Sequence, residues 1–246
     1  MIIHRSMHDR WLSNSWLVAD REGGTGVIID AGAPAEPLLA RISELKLDIS
    51  HVLLTHHHPD HVENAGLFRD RFGARVCGHA AERDLFPVID EELKNRQFID
   101  TGSLHVECLH VPGHTRGQLN FVVNDERVFT GDTLFAGSVG GTRGPGHGTF
   151  AELYHSIMKV LMKLPEAMTV HPGHAKETTI GREHETNPFI RAWRGLATLG
   201  EARCSAYAKT ATLLVDAEDY DGGRKCWVRF DDGREDVVAG SRVERA

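Results

Sequence analysis

Val52-Leu53-Leu54-Thr55-His56-His57-His58-Pro59-Asp60-His61 is the stretch on which the reading of this chain turns. Its first four residues are apolar or β-branched and read as a short buried strand. The run that follows reads as a loop feeding a helix that begins near Val62. Within it, His56, His58, Asp60 and His61 fit the pattern H-x-H-x-D-H. Imidazoles two residues apart can converge on one ion from a loop, whereas a helix would need i, i+4 spacing. Asp60 and His61 then offer an oxygen and a nitrogen to a second ion close by. A strand end is rigid enough to hold such ligands in place. The plainer reading is a polar loop with surface histidines. Four ligand-type residues within six positions, behind a buried strand and with no charge run around them, argue against it.

Working outward, three further motifs each follow an expected strand. His114 stands in G-H-T-x-G after 104–111, Asp132 in T-G-D-T after 128–130, and His174 in P-G-H after 168–170. Each alone is weak; in this order, behind H-x-H-x-D-H, they are strong. Together they resemble the metallo-β-lactamase fold superfamily over roughly residues 10–200, and within it the glyoxalase II (hydroxyacylglutathione hydrolase-like) branch. The resemblance implies an α/β fold, the αββα sandwich of the metallo-β-lactamase type. It implies that His56, His58 and His114 hold one metal, that Asp60, His61 and His174 hold the other, and that Asp132 bridges both. Nitrogen and carboxylate ligands without thiolate suit zinc first, with iron or manganese as alternatives. Two ions about 3.5–4 Å apart can share a water and bring its pKa toward ~7, giving a hydroxide that attacks an acyl carbonyl. Asp60 can hydrogen-bond that water and carry a proton, the catalytic role assigned here. There is no G-x-S-x-G elbow to suggest a serine nucleophile. His171 also ends a strand and competes with His174, although the P-G-H form favours His174. His57, His110 and His147 read as non-ligands, and Asp30 reads equally well as a support beneath the metals or as a turn cap.

The substrate is less sharply marked. Glyoxalase II enzymes grip glutathione with basic and tyrosine side chains, partly from a helical C-terminal domain. Lys176, Arg182, Arg143 and Tyr154 are the candidates here, with nothing to single one out. Persulfide dioxygenases carry a G-R-T-D-like loop where this chain has Gly140-Gly141-Thr142-Arg143, so the arginine is displaced. The expected function is a dinuclear hydrolase of a thioester or related acyl ester, with a small-molecule substrate such as a glutathione thioester. A mononuclear iron persulfide dioxygenase using His56, His114 and Asp132, a lactonase, and a metal-stabilised binding protein are the alternatives.

Composition limits the remaining classes. The 246 residues allow one large domain, or one domain and a small module. A net charge of −7 gives no basic footprint for nucleic acid and no polybasic patch for a membrane. No run approaches the ~18 apolar residues of a membrane-spanning helix. The N-terminus has no apolar signal core, which makes a cytoplasmic protein the expectation. Cys77, Cys108, Cys204 and Cys226 form no C-x-x-C pair, and the first two lie in strand-like runs as buried thiols.

Helices are expected over 34–47, 62–72, 79–85 and 151–164, and from Pro188 with Asn187 as N-cap. After about residue 203 the pattern changes to short strands with turn signals at Tyr220-Asp221-Gly222-Gly223 and Asp231-Asp232-Gly233. The expected division is therefore a catalytic domain over 1–203 and a small antiparallel β-barrel-like module, SH3- or Tudor-like, over 204–246. Within 225–230 a period of two puts Val228 and Phe230 on one face and Trp227 on the other. An outward Trp227 is expected to pack on the catalytic domain or on another subunit of a homo-oligomer, unless Trp227 is itself core.

Overall fold

Two six-stranded sheets lie face to face in the computed structural model, which describes residues 1–245. In the first sheet Ile2–Met7, Asn14–Ala19 and Thr25–Ile29 pair antiparallel, and Asp48–Leu53, Arg75–His79 and Glu91–Leu93 continue it in parallel. In the second, Thr178–Thr179, Thr169–Pro172, Arg127–Gly131, Leu119–Val123, Leu104–His110 and Phe98–Thr101 lie in that spatial order, with only Arg127–Gly131 and Thr169–Pro172 parallel.

Alternation along the strands builds the layers. Trp16, Val18, Ile29 and Leu53 from the first sheet meet Val106, Phe121 and Phe129 from the second between the sheets. The other face of the first sheet buries Leu38, Ile42 and Phe68 from helices Glu36–Leu45 and Ala65–Phe72. The other face of the second buries Leu153, Ile157, Phe189 and Ile190. This is the αββα sandwich. Among the described residues no helix is long and apolar enough to cross a membrane, and all four cysteines are free and buried.

Several boundaries differ from expectation. The helix expected from 62 starts at Pro59, whose fixed φ suits a first helical position; it breaks after Val62 and resumes at Ala65. Asp60 and His61 therefore sit on a helical turn rather than in a loop. The helix expected over 151–164 is regular only over Phe150–His155, opened by a Thr149–Glu152 capping box, then widens over Ser156–Val160 and tightens over Leu161–Lys163. Only Ala80–Glu82 is helical in the stretch 79–85. Strand Ile2–Met7 and helix Ile180–Thr186 give no strong sequence signal, being largely half-exposed and polar.

The C-terminal strands Glu235–Ala239, Arg224–Phe230, Lys209–Glu218, Ala202–Ala206 and Val243–Arg245 form, in that order, an antiparallel half-barrel. Cys226, Val228 and Phe230 face its own small core. Trp227 faces the other way, stacked on Phe150 at 5.4 Å and edge-on to Trp193. A register shift between Leu213 and Val215 turns Leu214 toward the same helical layer.

Candidate metal centre

Each predicted ligand lies beyond a strand end at one rim of the sandwich. His56 and His58 leave Asp48–Leu53, and Asp60 and His61 lie on the turn Pro59–Val62. His114 follows Leu104–His110, Asp132 follows Arg127–Gly131, and His174 follows Thr169–Pro172. The structure brings all seven together. His58 Nδ1 lies 3.0 Å from His56 Nε2 and 3.1 Å from His114 Nε2. Asp60 Oδ2 lies 3.4 Å from His174 Nε2 and 3.6 Å from His61 Nε2. Asp132 touches both groups: Oδ1 is 3.3 Å from His61 Nε2, while Oδ2 is 3.3 Å from His174 Nε2 and 3.5 Å from His114 Nε2. These donor sets lie close enough together to suit metal ions.

The nitrogen of each histidine that points away from the cluster is already engaged. His114 Nδ1 bonds the Gly141 carbonyl, His174 Nδ1 the Trp11 carbonyl, His58 Nε2 the Pro145 carbonyl, and His56 Nδ1 the Thr55 hydroxyl. His61 Nδ1 bonds Asp30 Oδ2 at 2.9 Å. Such partners fix the tautomer and leave a lone pair facing the centre. Asp30 also accepts from the Thr55 amide and hydroxyl, so it supports His61 and braces the strand end at once. Gly173 explains the P-G-H motif: a Cβ there would stand 2.4 Å from Asp132 Oδ1.

The electrostatics favour a cation. Burial, reinforced by neighbouring imidazoles, pushes His56 well below the ordinary histidine range, and burial brings His114 down to about 4. Both are thus neutral donors. Burial opposes a charge on Asp132, but His174 and His61 outweigh it and hold the carboxyl well below its usual range. Burial also opposes a charge on His61, yet Asp132 and Asp30 raise it well above the ordinary value. Asp132 Oδ1 is buried without a partner in hydrogen-bonding geometry, so the donor set is shaped for positive charge at its centre.

The other histidines fall outside. His171 is stacked on Phe129 at 4.6 Å in the core between the sheets. His110 stacks on His79, and His147 bonds the Gly148 carbonyl. His57 is paired with buried Glu82. Arg143 is held by Asp236, and Tyr154 packs against Trp193. Sequence reading missed two residues at the centre, Tyr220 and Lys225 of the C-terminal sheet. Their stretch carries turn and strand signals only, and a chemical role shows only once the sheet is docked.

A sandwich with histidines and aspartates gathered at one rim defines a class of metal-binding α/β proteins. Residues 8–174 match the family described as the metallo-beta-lactamase superfamily, and the chain belongs to it. It is 37% identical over 200 residues to the hydroxyacylglutathione hydrolase GloC of Haemophilus influenzae, covering 73% of this chain and 93% of that one. Among solved structures, the BLEG-1 B3 metallo-beta-lactamase is 28% identical with a TM-score of 0.71, covering 77% of this chain and 99% of that one. TTHA1623 in a di-iron-bound form is 33% identical with a TM-score of 0.62, covering 72% and 94%.

Proposed function

We propose that the chain is a dinuclear metal-dependent hydrolase of a thioester or related acyl ester, in the manner of the hydroxyacylglutathione hydrolases it is similar to. The observation that carries this reading is Asp132, whose two oxygens reach into both donor groups. His56, His58 and His114 would hold one ion, Asp60, His61 and His174 the other, and Asp132 both. The donor set favours zinc, with iron and manganese acceptable to the same ligands. Bound ions would supply an acidified water and polarise the acyl carbonyl.

The chain's own groups do the rest. Asp60, with a side chain 23% exposed, is the carboxylate open enough to hold the attacking water and take its proton. The carbonyl, hydroxyl and carboxylate partners of the five histidines keep the donor atoms aimed while charge develops. We assign residues 1–203 to this catalytic unit and 204–246 to the β module, and the substrate to the small molecules, a glutathione thioester first. A mononuclear dioxygenase using His56, His114 and Asp132 would leave His58, Asp60, His61 and His174 without work.

A substrate panel on metal-reconstituted protein tests this reading: S-lactoylglutathione, glutathione persulfide, a homoserine lactone and a phosphodiester, alongside elemental analysis. Two ions per chain and thioester cleavage are expected. Oxygen uptake with the persulfide would move the assignment to a dioxygenase. A folded, metal-loaded protein inert toward thioesters, esters and lactones overturns it.

A further inference from the structure

The C-terminal half-barrel lies outside the residues 8–174 that match the family, yet it reaches the metal centre. Its turn lays Tyr220 flat on the His174 imidazole, with ring centroids 4.4 Å apart and planes 18° apart. Tyr220 also leans on Phe135 at 4.7 Å. Lys225, only 8% exposed, places Nζ 5.7 Å from the Tyr220 ring centre and 6.0 Å from that of Phe135. Asp219 Oδ2 holds it at 3.0 Å, and Asp219 is itself fixed by the Ser138 hydroxyl at 2.7 Å. Tyr220, Lys225 and Phe135, with Arg143 and Tyr207, wall a cavity of about 160 Å³ that is also lined by His114 and Asp132.

We propose that this cavity is the acyl pocket, and that Tyr220 and Lys225 restrict it to a short acyl group carrying no negative charge. The inference rests on the hydrolase reading above. A space of 160 Å³ holds about five heavy atoms at ~30 Å³ each. Its position against ligands of both donor groups puts whatever fills it beside the reacting carbonyl. Its walls do not yield easily, because Tyr220 is stacked on His174 and braced at a tilt by Phe135, and Lys225 is buried and ion-paired. Both cations on the wall already have a carboxylate, Lys225 with Asp219 and Arg143 with Asp236. An anionic acyl group would therefore find no unpaired side-chain cation on this wall. An ammonium has three N–H donors, so Lys225 keeps donors for a hydroxyl or carbonyl oxygen after serving Asp219.

The test compares acetyl, butyryl, hexanoyl, octanoyl and succinyl thioesters of one thiol on the metal-loaded full chain. For the wild type, kcat/KM should fall at least about tenfold from butyryl to hexanoyl, the scale of methylene discrimination by a fitted pocket wall, and succinyl should be poor. Tyr220→Ala should raise the hexanoyl-to-butyryl ratio at least about tenfold. Tyr220→Leu, which keeps an apolar contact on His174, provides the same comparison if the alanine variant does not fold. A second readout is free of turnover: calorimetric binding of butyrate and hexanoate to the same metal-loaded proteins should show the same shift. Matching chain-length profiles in wild type and variant would overturn the pocket. If no thioester is cleaved but carboxylate selectivity shifts with Tyr220, the pocket stands and the hydrolase reading falls.

Discussion

The two sheets furnish the candidate metal centre in different ways. The first supplies His56, His58, Asp60 and His61 from one strand end and the turn after it. The second supplies His114, Asp132 and His174 from three strand ends, each one residue type in a short glycine-containing turn. The first block is local: its geometry follows once one strand and one helical turn form. The second exists only when the strands of a whole sheet are in register. Because every donor group draws on both sheets, bound ions would brace one sheet against the other, and binding to the folded state alone adds stability by mass action.

Asp132 is where this contrast is most exposed. Asp132→Ala removes the one carboxylate that reaches both donor groups, so on the proposed reading both ions and activity should go. A drop of at least about a thousand-fold in kcat/KM, ~4 kcal/mol of barrier, is expected. His58→Ala should instead leave Asp60, His61, Asp132 and His174 able to retain one ion. Elemental analysis of the two variants decides the matter, and equal metal content in both would erase the difference between the blocks.

Next in size is an effect on folding alone. Trp227 is 6% exposed and packs on Phe150 and Trp193, with its indole N–H donating to Glu235. Trp227→Ala should cost about 3–5 kcal/mol, read as a lower melting temperature, while metal content stays as in wild type. An unchanged melting temperature would mean the half-barrel does not lean on the sandwich.

The same contrast governs what could be read in advance. H-x-H-x-D-H is legible because its ligands are adjacent, and the alternation of Val228 and Phe230 against Trp227 assigned the faces of that strand correctly. His114, Asp132 and His174 needed the order of three motifs. The P-G-H form favours His174 over His171, and the structure shows why: the chain turns after Pro172, aiming one imidazole into the core and the other at the rim. Tyr220 and Lys225 were illegible, since what matters about them is a docking between the half-barrel and the rim. The strand Ile2–Met7 was missed because a half-exposed edge carries little apolar signal.

His171 supplies a pH-dependent check on that separation. Burial, helped by the Arg127 charge, lowers it to about 4 from an ordinary value of 6.5. The unfolded chain therefore takes up a proton between these values that the folded chain refuses, and stability falls as pH drops through that window. The contribution is on the order of 3 kcal/mol at 1.36 kcal/mol per unit. His56 and His114 act in the same direction, so the measurement is a difference: in metal-free protein, His171→Phe should unfold with a shallower acid dependence than wild type. Equal slopes would mean that His171 is open to protons in the folded state.

The smallest effect concerns a residue that joins the local block to the dispersed one. Glu82 is 2% exposed on the helical turn Ala80–Glu82 of the first half. One of its oxygens bonds the His57 ring and accepts from the His57 amide at 3.1 Å, between the proposed ligands His56 and His58. The other accepts from the Gly117 amide at 2.7 Å, in the turn that carries His114. Burial opposes its charge, but His57 and the Gly117 amide prevail and hold the carboxyl below the ordinary range, so it is an anion at neutral pH. A single carboxylate thus sets the spacing of two histidine loops without touching a metal. Glu82→Gln keeps the shape but turns one acceptor into a donor, which must then face an N–H. The cost to folding is about 1–3 kcal/mol, and loss of support behind the ligands should weaken metal binding by about 10–100-fold. Competition with a chromophoric chelator measures this directly. Lower stability with unchanged metal affinity would show that Glu82 only fills the core, and that the two loops find their spacing through the ions themselves.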